Sequence, residues 1–252
     1  MRLLTAARDL SRRKARERDA RFVAEGVRAV EELLASPLEM VGAVCGPQLV
    51  ESERGAHLRA ELERRGVEVA EVTDREFSGA ASTESPQGIL AIGRIPDRKL
   101  DTLAGRDRLT LLVLDGVQDP GNVGTLIRTA HALGADATIA LPGTVDVWNA
   151  KVVRSAMGSL FRHHVLPASI GELSAFTRPQ EVVLWAAHAR GTDLRSLRRP
   201  PRLALVLGNE GAGVTPAVEA LVSKRVALAM PGDAESLNVA VAGGILMYGL
   251  LS

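Results

Sequence analysis

From Phe22 onward, short apolar runs alternate with amphipathic segments along almost all of the 252-residue chain. That alternation calls for helices layered on a sheet, an α/β fold. The strictest case is Leu109 to Leu114, an almost unbroken apolar run of the kind a strand covered on both faces requires. Other strands are expected at Phe22 to Glu25, Met40 to Cys45, Val67 to Val72 and Ile89 to Ile95, then at Ala137 to Leu141, Val182 to Ala186, Leu203 to Leu207 and Arg225 to Met230. Between them, Val27, Val30, Leu33 and Leu34 repeat at helical spacing until Ser36-Pro37. Gln48 to Arg65 reads as a charged surface helix, and Leu126, Ile127, Ala130 and Leu133 mark a helix that Gly134 stops. The chain closes on an apolar stretch, Leu237 to Leu251. A polar stretch with Pro and Gly, 96–108, reads as a linker, which divides the chain into domains over 1–95 and 109–252.

Charge is distributed unevenly. The net charge of +1 conceals eight basic residues against three acids in residues 1–21, while the remainder is mildly acidic. A basic arm on such a body suits RNA or another anionic surface, and a solvated, salt-bridged first helix is the alternative. With 46% hydrophobic and 24% charged residues, the chain has the composition of a folded globular protein rather than a disordered one. A single cysteine, Cys45, excludes an internal disulfide framework, and no Cys/His zinc pattern is present. His163 and His164 are adjacent, so on a strand they point to opposite faces, and no metal is expected. No run approaches the length of a membrane span or signal peptide, and the expected setting is a reducing cytoplasm.

Several familiar sites are excluded: there is no GxxxxGK[ST] phosphate loop, HExxH zinc helix or GxSxG elbow, and the only GxG lies late, at Gly211-Ala212-Gly213. Three other segments look chemical. Leu114 to Arg128 is a buried strand that breaks through Asp119, Pro120, Gly121 and Asn122 into a helix. Asn122 stands where an N-cap would, and Arg128, among apolar neighbours, needs an anionic partner. Leu205 to Gly213 is an apolar strand ending in a glycine-rich loop that lets a ligand approach the backbone, with Asn209 and Glu210 at its carboxyl end. Leu228 to Ala242 is a strand end, a Pro-Gly turn and a helix start, with Ser236 as a plausible N-cap and Asn238 a polar residue among apolar ones.

In order, DPGNVGTLIRTAHALGA (119–135), LVLGNEGAG (205–213) and SLNVAVAGG (236–244) resemble the three motifs of the SpoU/TrmH family of RNA ribose 2′-O-methyltransferases. The resemblance implies a trefoil-knotted α/β methyltransferase domain over 109–252 that binds S-adenosylmethionine. It also implies catalytic roles for Arg128, for Asn122 as the residue that helps hold it, and for Glu210, Ser236 and Asn238. Cofactor contacts are implied at Leu207, Gly208, Asn209, Leu228, Met230, Ser236 and Leu237. Family members commonly carry Ile-Pro-Met where this chain has Leu228-Ala229-Met230, a change that main-chain contacts tolerate.

The first half, through FVAEGVRAVEELL (22–34) and Pro86-Gln87-Gly88-Ile89, resembles the smaller α/β substrate-binding domain of ribosomal-protein type that some members carry. Arg8, Arg12, Arg13 and Arg16 of the arm are then the expected phosphate contacts. The family also implies a homodimer through the C-terminal domain, and the two-domain layout fits large-subunit ribosomal RNA better than transfer RNA. The rival readings are a non-catalytic RNA-binding or ribosome-assembly factor, a transfer-RNA ribose methyltransferase, and a knotted base methyltransferase. An arginine side chain is effectively always protonated. Arg128 is therefore either a base made usable by RNA binding or a cation that holds the adjacent phosphate and polarises the hydroxyl.

Overall fold

A computed structural model describes residues 2–230, 232 and 236–251. It divides into two units, one of residues 1–97 with Trp148–Arg162 and one of Arg98–Val147 with His163–Ser252.

In the first unit the order is α1 (Arg2–Asp9), α2 (Arg13–Asp19), β1 (Arg21–Glu25), α3 (Val27–Leu34), β2 (Met40–Cys45), α4 (Glu53–Arg64), β3 (Val69–Glu71), α5 (Asp74–Ser78) and β4 (Ile89–Arg94). The sheet runs β1-β4-β2-β3, with β4 antiparallel to both its neighbours and β3 parallel to β2. The basic arm is folded. Leu3, Leu4, Ala7 and Leu10 are buried with Val23, Val44, Phe77, Leu90 and Ile92, so α1 forms one wall of this core. The helix expected from Gln48 is shorter, because a 3-10 turn at Pro47–Glu51 precedes it and Ser52 caps α4 by accepting from Gly55 N at 3.1 Å.

The second unit opens with β5 (Leu109–Asp115), α6 (Pro120–Ala132) and β6 (Ala137–Ala140). The chain then returns to the first unit through α7 (Ala150–Ser155) and α8 (Ser159–Arg162). There Trp148 and Phe161 pack on Phe22, with ring centroids 4.6 Å and 5.5 Å away. Set beside the expected domains of 1–95 and 109–252, the first unit also takes in Trp148–Arg162, so the second unit is not one continuous stretch. The segment 96–108 also differs from a linker, since Leu100 and Leu103 of a 3-10 turn are buried in the second core.

The remaining elements are β7 (Val165–Pro167), α9 (Ile170–Thr177), β8 (Val183–Asp193), β9 (Arg202–Gly208), α10 (Pro216–Glu219), β10 (Lys224–Ala227) and α11 (Val239–Leu251). Every pairing in the six-stranded order β10-β8-β9-β5-β6-β7 is parallel. All seven residues of β5 are buried, as its apolar run requires. Between β8 and β10 the register jumps: Arg225 pairs with Ala186, but Val226 pairs with Thr192, so residues 187–191 loop out of the ladder. No helix among the described residues is long and apolar enough to cross a membrane.

Candidate active site

Parallel sheets present their ligand-binding loops at the carboxyl ends of the strands. Here β5, β9 and β10 deliver the three chemical segments to that edge. Asp119, rather than Asn122, caps α6 by accepting from Asn122 N at 2.7 Å, with Pro120 in the first turn. Because Asn122 lies inside the first turn, its side chain is free of capping. Asn209 braces the loop after β9. Its Nδ2 donates to Gly116 O at 2.9 Å, and its Oδ1 accepts from Gly211 N at 3.0 Å and Ala212 N at 2.9 Å. The main chains of Asn209 and Gly213 exchange two further bonds, and a Cβ on Gly208 would collide with the Gly213 backbone, so that position requires glycine. Asp115, at the end of β5, accepts from Thr215 N at 2.6 Å and closes the far side of the loop.

The three segments meet through side chains. Asn122 Nδ2 donates to Glu210 Oε1 at 3.1 Å, and Asn238 Nδ2 donates to Asn122 Oδ1 at 3.0 Å. Asn238 Oδ1 in turn accepts from Ala240 N at 2.9 Å and Val241 N at 3.3 Å. Asn238, not Ser236, therefore caps α11, and it is exposed rather than buried among its apolar neighbours. Partial burial alone would push the Glu210 carboxyl up. The Asn122 amide and main-chain amides, including those of Gln118 and Asp119, outweigh it and hold the pKa below its ordinary value.

A pocket of about 390 Å³ lies beside this chain of bonds, lined by Leu207, Gly208, Asn209, Leu228, Met230, Ser236 and Leu237, together with Glu210 and Asn238. Its wall also includes Ala187, His188 and Ala189, which sequence reading missed. The apolar run that marks β8 stops at Ala186, and the polar looped-out residues beyond it carry no periodic signal.

Arg128 is not among the lining residues. It is exposed on α6 and makes no hydrogen bond or ion pair among the described residues. The implied hold of Asn122 on Arg128 is absent, because both ends of the Asn122 amide are engaged by Glu210 and Asn238.

The arm arginines fall into distinct groups. Arg12 is exposed, Arg13 pairs with Glu17 at 2.7 Å, and Arg8 Nη2 donates to Glu76 O at 2.9 Å. Arg16 departs from expectation: it is 4% exposed and donates from Nη1 to Leu10 O at 2.8 Å and Ser11 O at 2.9 Å. Those carbonyls lie where the chain turns between α1 and α2, so Arg16 ties the turn together instead of facing a polyanion.

A parallel α/β unit with its pocket at the strand ends and the three motif segments fastened around it is the arrangement that the family resemblance implies for an RNA methylase. Residues 110–248 match the SpoU rRNA Methylase family and residues 4–91 match the MRM3-like substrate binding domain. The chain belongs to the SpoU rRNA methylase family. It is 38% identical over 245 residues to the 23S rRNA (guanosine(2553)-2′-O)-methyltransferase RlmP of Bacillus subtilis, covering 96% of this chain and 92% of that protein. It is 32% identical over 199 residues to the 23S rRNA (uridine(2479)-2′-O)-methyltransferase of Streptomyces viridochromogenes, covering 73% and 67%. Among solved structures, AdoMet-bound rRNA methyltransferase from Sinorhizobium meliloti superposes with a TM-score of 0.84 at 30% identity, over 98% of this chain and 93% of that one. The SpoU methyltransferase AviRb from Streptomyces viridochromogenes, in complex with AdoMet, gives 0.86 at 26% identity over 98% and 96%.

Proposed function

We propose that the chain catalyses S-adenosylmethionine-dependent 2′-O-methylation of a ribose in large-subunit ribosomal RNA. The observation that carries this reading is the side-chain link Asn238–Asn122–Glu210, which joins the three motif segments at one side of the pocket. The residues present fit the cofactor. The pocket is largely apolar, and the carboxylate of Glu210 is held ionised at its edge, where a sulfonium cation is favoured.

When bound, S-adenosylmethionine supplies an already activated methyl group. The chain has to orient the ribose oxygen in line and assist loss of its proton, and orientation alone contributes several kcal/mol. The Asn122 and Asn238 amides fix the carboxylate and the start of α11, so the pocket is shaped before ligand arrives. Arg128, exposed and unpaired among the described residues, fits the cation that holds a phosphate and polarises the hydroxyl better than it fits a base. RNA binding is assigned to residues 1–95, with Arg8, Arg12 and Arg13 as phosphate contacts.

The same reading includes the family's trefoil knot within 109–252, a cytoplasmic setting and a homodimer. For the dimer, α11 offers Val241, Ile245 and Tyr248, exposed at helical spacing on one face. A monomeric mass at micromolar concentration would contradict it. The catalytic reading is tested by calorimetric binding of S-adenosylmethionine followed by transfer of a labelled methyl group to ribosomal RNA. Cofactor binding without transfer to any RNA would instead support a non-catalytic factor.

A further inference from the structure

We propose that the amino-terminal edge of the six-stranded sheet is a second RNA contact, which grips phosphates of the substrate remote from the methylation pocket. This rests on the ribosomal-RNA reading of the substrate and adds a surface outside the arm and the three motifs. Because every pairing in the sheet is parallel, the segments that enter the strands gather along one edge, and the pocket lies at the other. Residues 98–108 and 198–202, which lead into β5 and β9, hold seven basic side chains against two acids. The register sets Leu109 beside Arg202, so the two segments arrive together.

These cations differ from others on the surface in how they are held. Arg195 and Arg225 are ion-paired with Asp193 and Glu219, which cancels their charge locally. At this edge Arg106 pairs with Asp136 in the same way, but Arg199 and Arg202 are fixed by neutral oxygens. Arg199 Nη2 donates to Thr110 Oγ1, and Arg202 donates from Nε to Arg106 O at 2.8 Å and from Nη1 to Gln180 O at 3.1 Å. A neutral acceptor orients a guanidinium and leaves its charge in place. Arg108 and Arg198 are exposed and make no hydrogen bond or ion pair among the described residues.

The charge is also crowded. Arg199 Nε is buried without a partner among the described residues. Burial first, then the neighbouring Arg108, hold the Arg199 pKa below its ordinary value against the pull of Asp136. Asp136 is already engaged by Arg106 and by Thr110 N at 2.8 Å. An incoming anion relieves this repulsion.

The anion that fits is the backbone of a large folded RNA. Because β5 spans seven residues, the edge lies about 20 Å from the pocket, beyond the nucleotide whose ribose is methylated but within reach of another part of the same molecule. Neither segment contains an aromatic residue on which a base could stack, so the contact is to phosphates and positions the RNA without reading its sequence.

The test is filter binding of large-subunit ribosomal RNA over a salt series. It compares the parent protein with Arg108→Gln/Arg198→Gln, Arg108→Lys/Arg198→Lys and a control, Arg195→Gln/Arg225→Gln, that removes equal charge from paired sites. The first variant is expected to bind about 3- to 10-fold more weakly. Its log–log salt slope should be shallower by about 1.4 to 1.8, the value of two phosphate contacts. The lysine variant restores most of both, and the control changes neither. S-adenosylhomocysteine affinity and melting should match the parent protein, since both side chains are exposed and far from the pocket. An unaltered affinity and slope overturn the assignment, as does an equal loss by the control. A loss seen only with assembled subunits, and not with protein-free RNA, would point to a ribosomal protein and overturn it as well. If the parent protein itself shows no salt-dependent RNA binding, the RNA reading fails and this one with it, whereas a parent that binds and methylates RNA beside an unaltered first variant removes the edge alone.

Discussion

Asn238 Nδ2 donates to Asn122 Oδ1 at 3.0 Å across 116 positions of sequence, while Asn122 Nδ2 passes the contact on to Glu210. Each amide can donate and accept in only one sense here. Asn238 must present its oxygen to Ala240 N, which turns its nitrogen toward Asn122, whose own nitrogen is then directed at the carboxylate. A helix cap, a buried-strand loop and an acid are thereby coupled into one unit.

Replacing Asn122 breaks both bonds at once. Asn122→Ala is expected to cost about 1 kcal/mol or a little more in stability, because the site is half-exposed, and to slow methyl transfer on the order of 100-fold through loss of alignment. Asn122→Asp sets an acceptor against Glu210 and should be worse than alanine. Single-turnover rates beside thermal melts check this; a rate loss matched by unfolding would reduce Asn122 to a structural role.

Among the described residues Arg128 has no partner whose loss could disturb the fold. If it is the phosphate-holding cation, Arg128→Lys keeps the charge and retains part of the rate, whereas Arg128→Ala loses at least about 10-fold, with both variants as stable as the parent. Steady-state kinetics on ribosomal RNA decides. Two variants as fast as the parent protein would remove Arg128 from the mechanism.

The arm can be tested only by charge, not by deletion, because Leu3, Leu4, Ala7 and Leu10 belong to the core. Replacing Arg12, Arg13 and Lys14 by Gln should leave the fold intact and flatten the salt dependence of RNA binding. Each lost phosphate contact lowers the log–log slope by about 0.7 to 0.9. Filter binding over a salt series measures it, and an unchanged slope would leave the arm as a wall of the first unit alone.

His163 gives the second unit a pH dependence. It is buried and bonded to Thr138 through Nε2 at 2.9 Å. Burial first, then the neighbouring His131, Arg98 and His164, push its pKa from 6.5 down to about 3. Between those values the unfolded chain binds the proton and the folded one does not. Stability is therefore full above about pH 6.5 and falls as pH drops, by up to about 1.4 kcal/mol per pH unit. His163→Gln keeps a partner for Thr138 and should show a shallower decline in denaturant unfolding from about pH 7 to about pH 5. An unaltered slope would assign the acid sensitivity to other groups.

The parallel sheet was legible because strands buried on both faces need apolar runs, and Leu109 to Leu114 and Leu203 to Leu207 have them. Motif resemblance named Leu207, Gly208, Met230 and Leu237 as implied cofactor contacts, and all four line the pocket. Three things were not. The stretch 142–181 is built of short helices and a three-residue strand, too brief for either period to register, and its Trp148 and Phe161 find their partner, Phe22, more than a hundred residues back. Capping was misassigned twice, to Asn122 and Ser236, because several polar residues stand near each helix start and only geometry selects Asp119 and Asn238. Arg16 reads as one more arm cation, and nothing local reveals that it folds back onto Leu10 and Ser11.

The most direct measurement is the chemical identity of the product. Ribosomal RNA from cells lacking this gene, treated with the purified protein and labelled S-adenosylmethionine and then digested to nucleosides, should release the label in a single 2′-O-methylnucleoside, and Asn122→Ala should strongly reduce it. Label recovered in a base-methylated nucleoside, or none incorporated by a protein that binds the cofactor, would contradict the assignment.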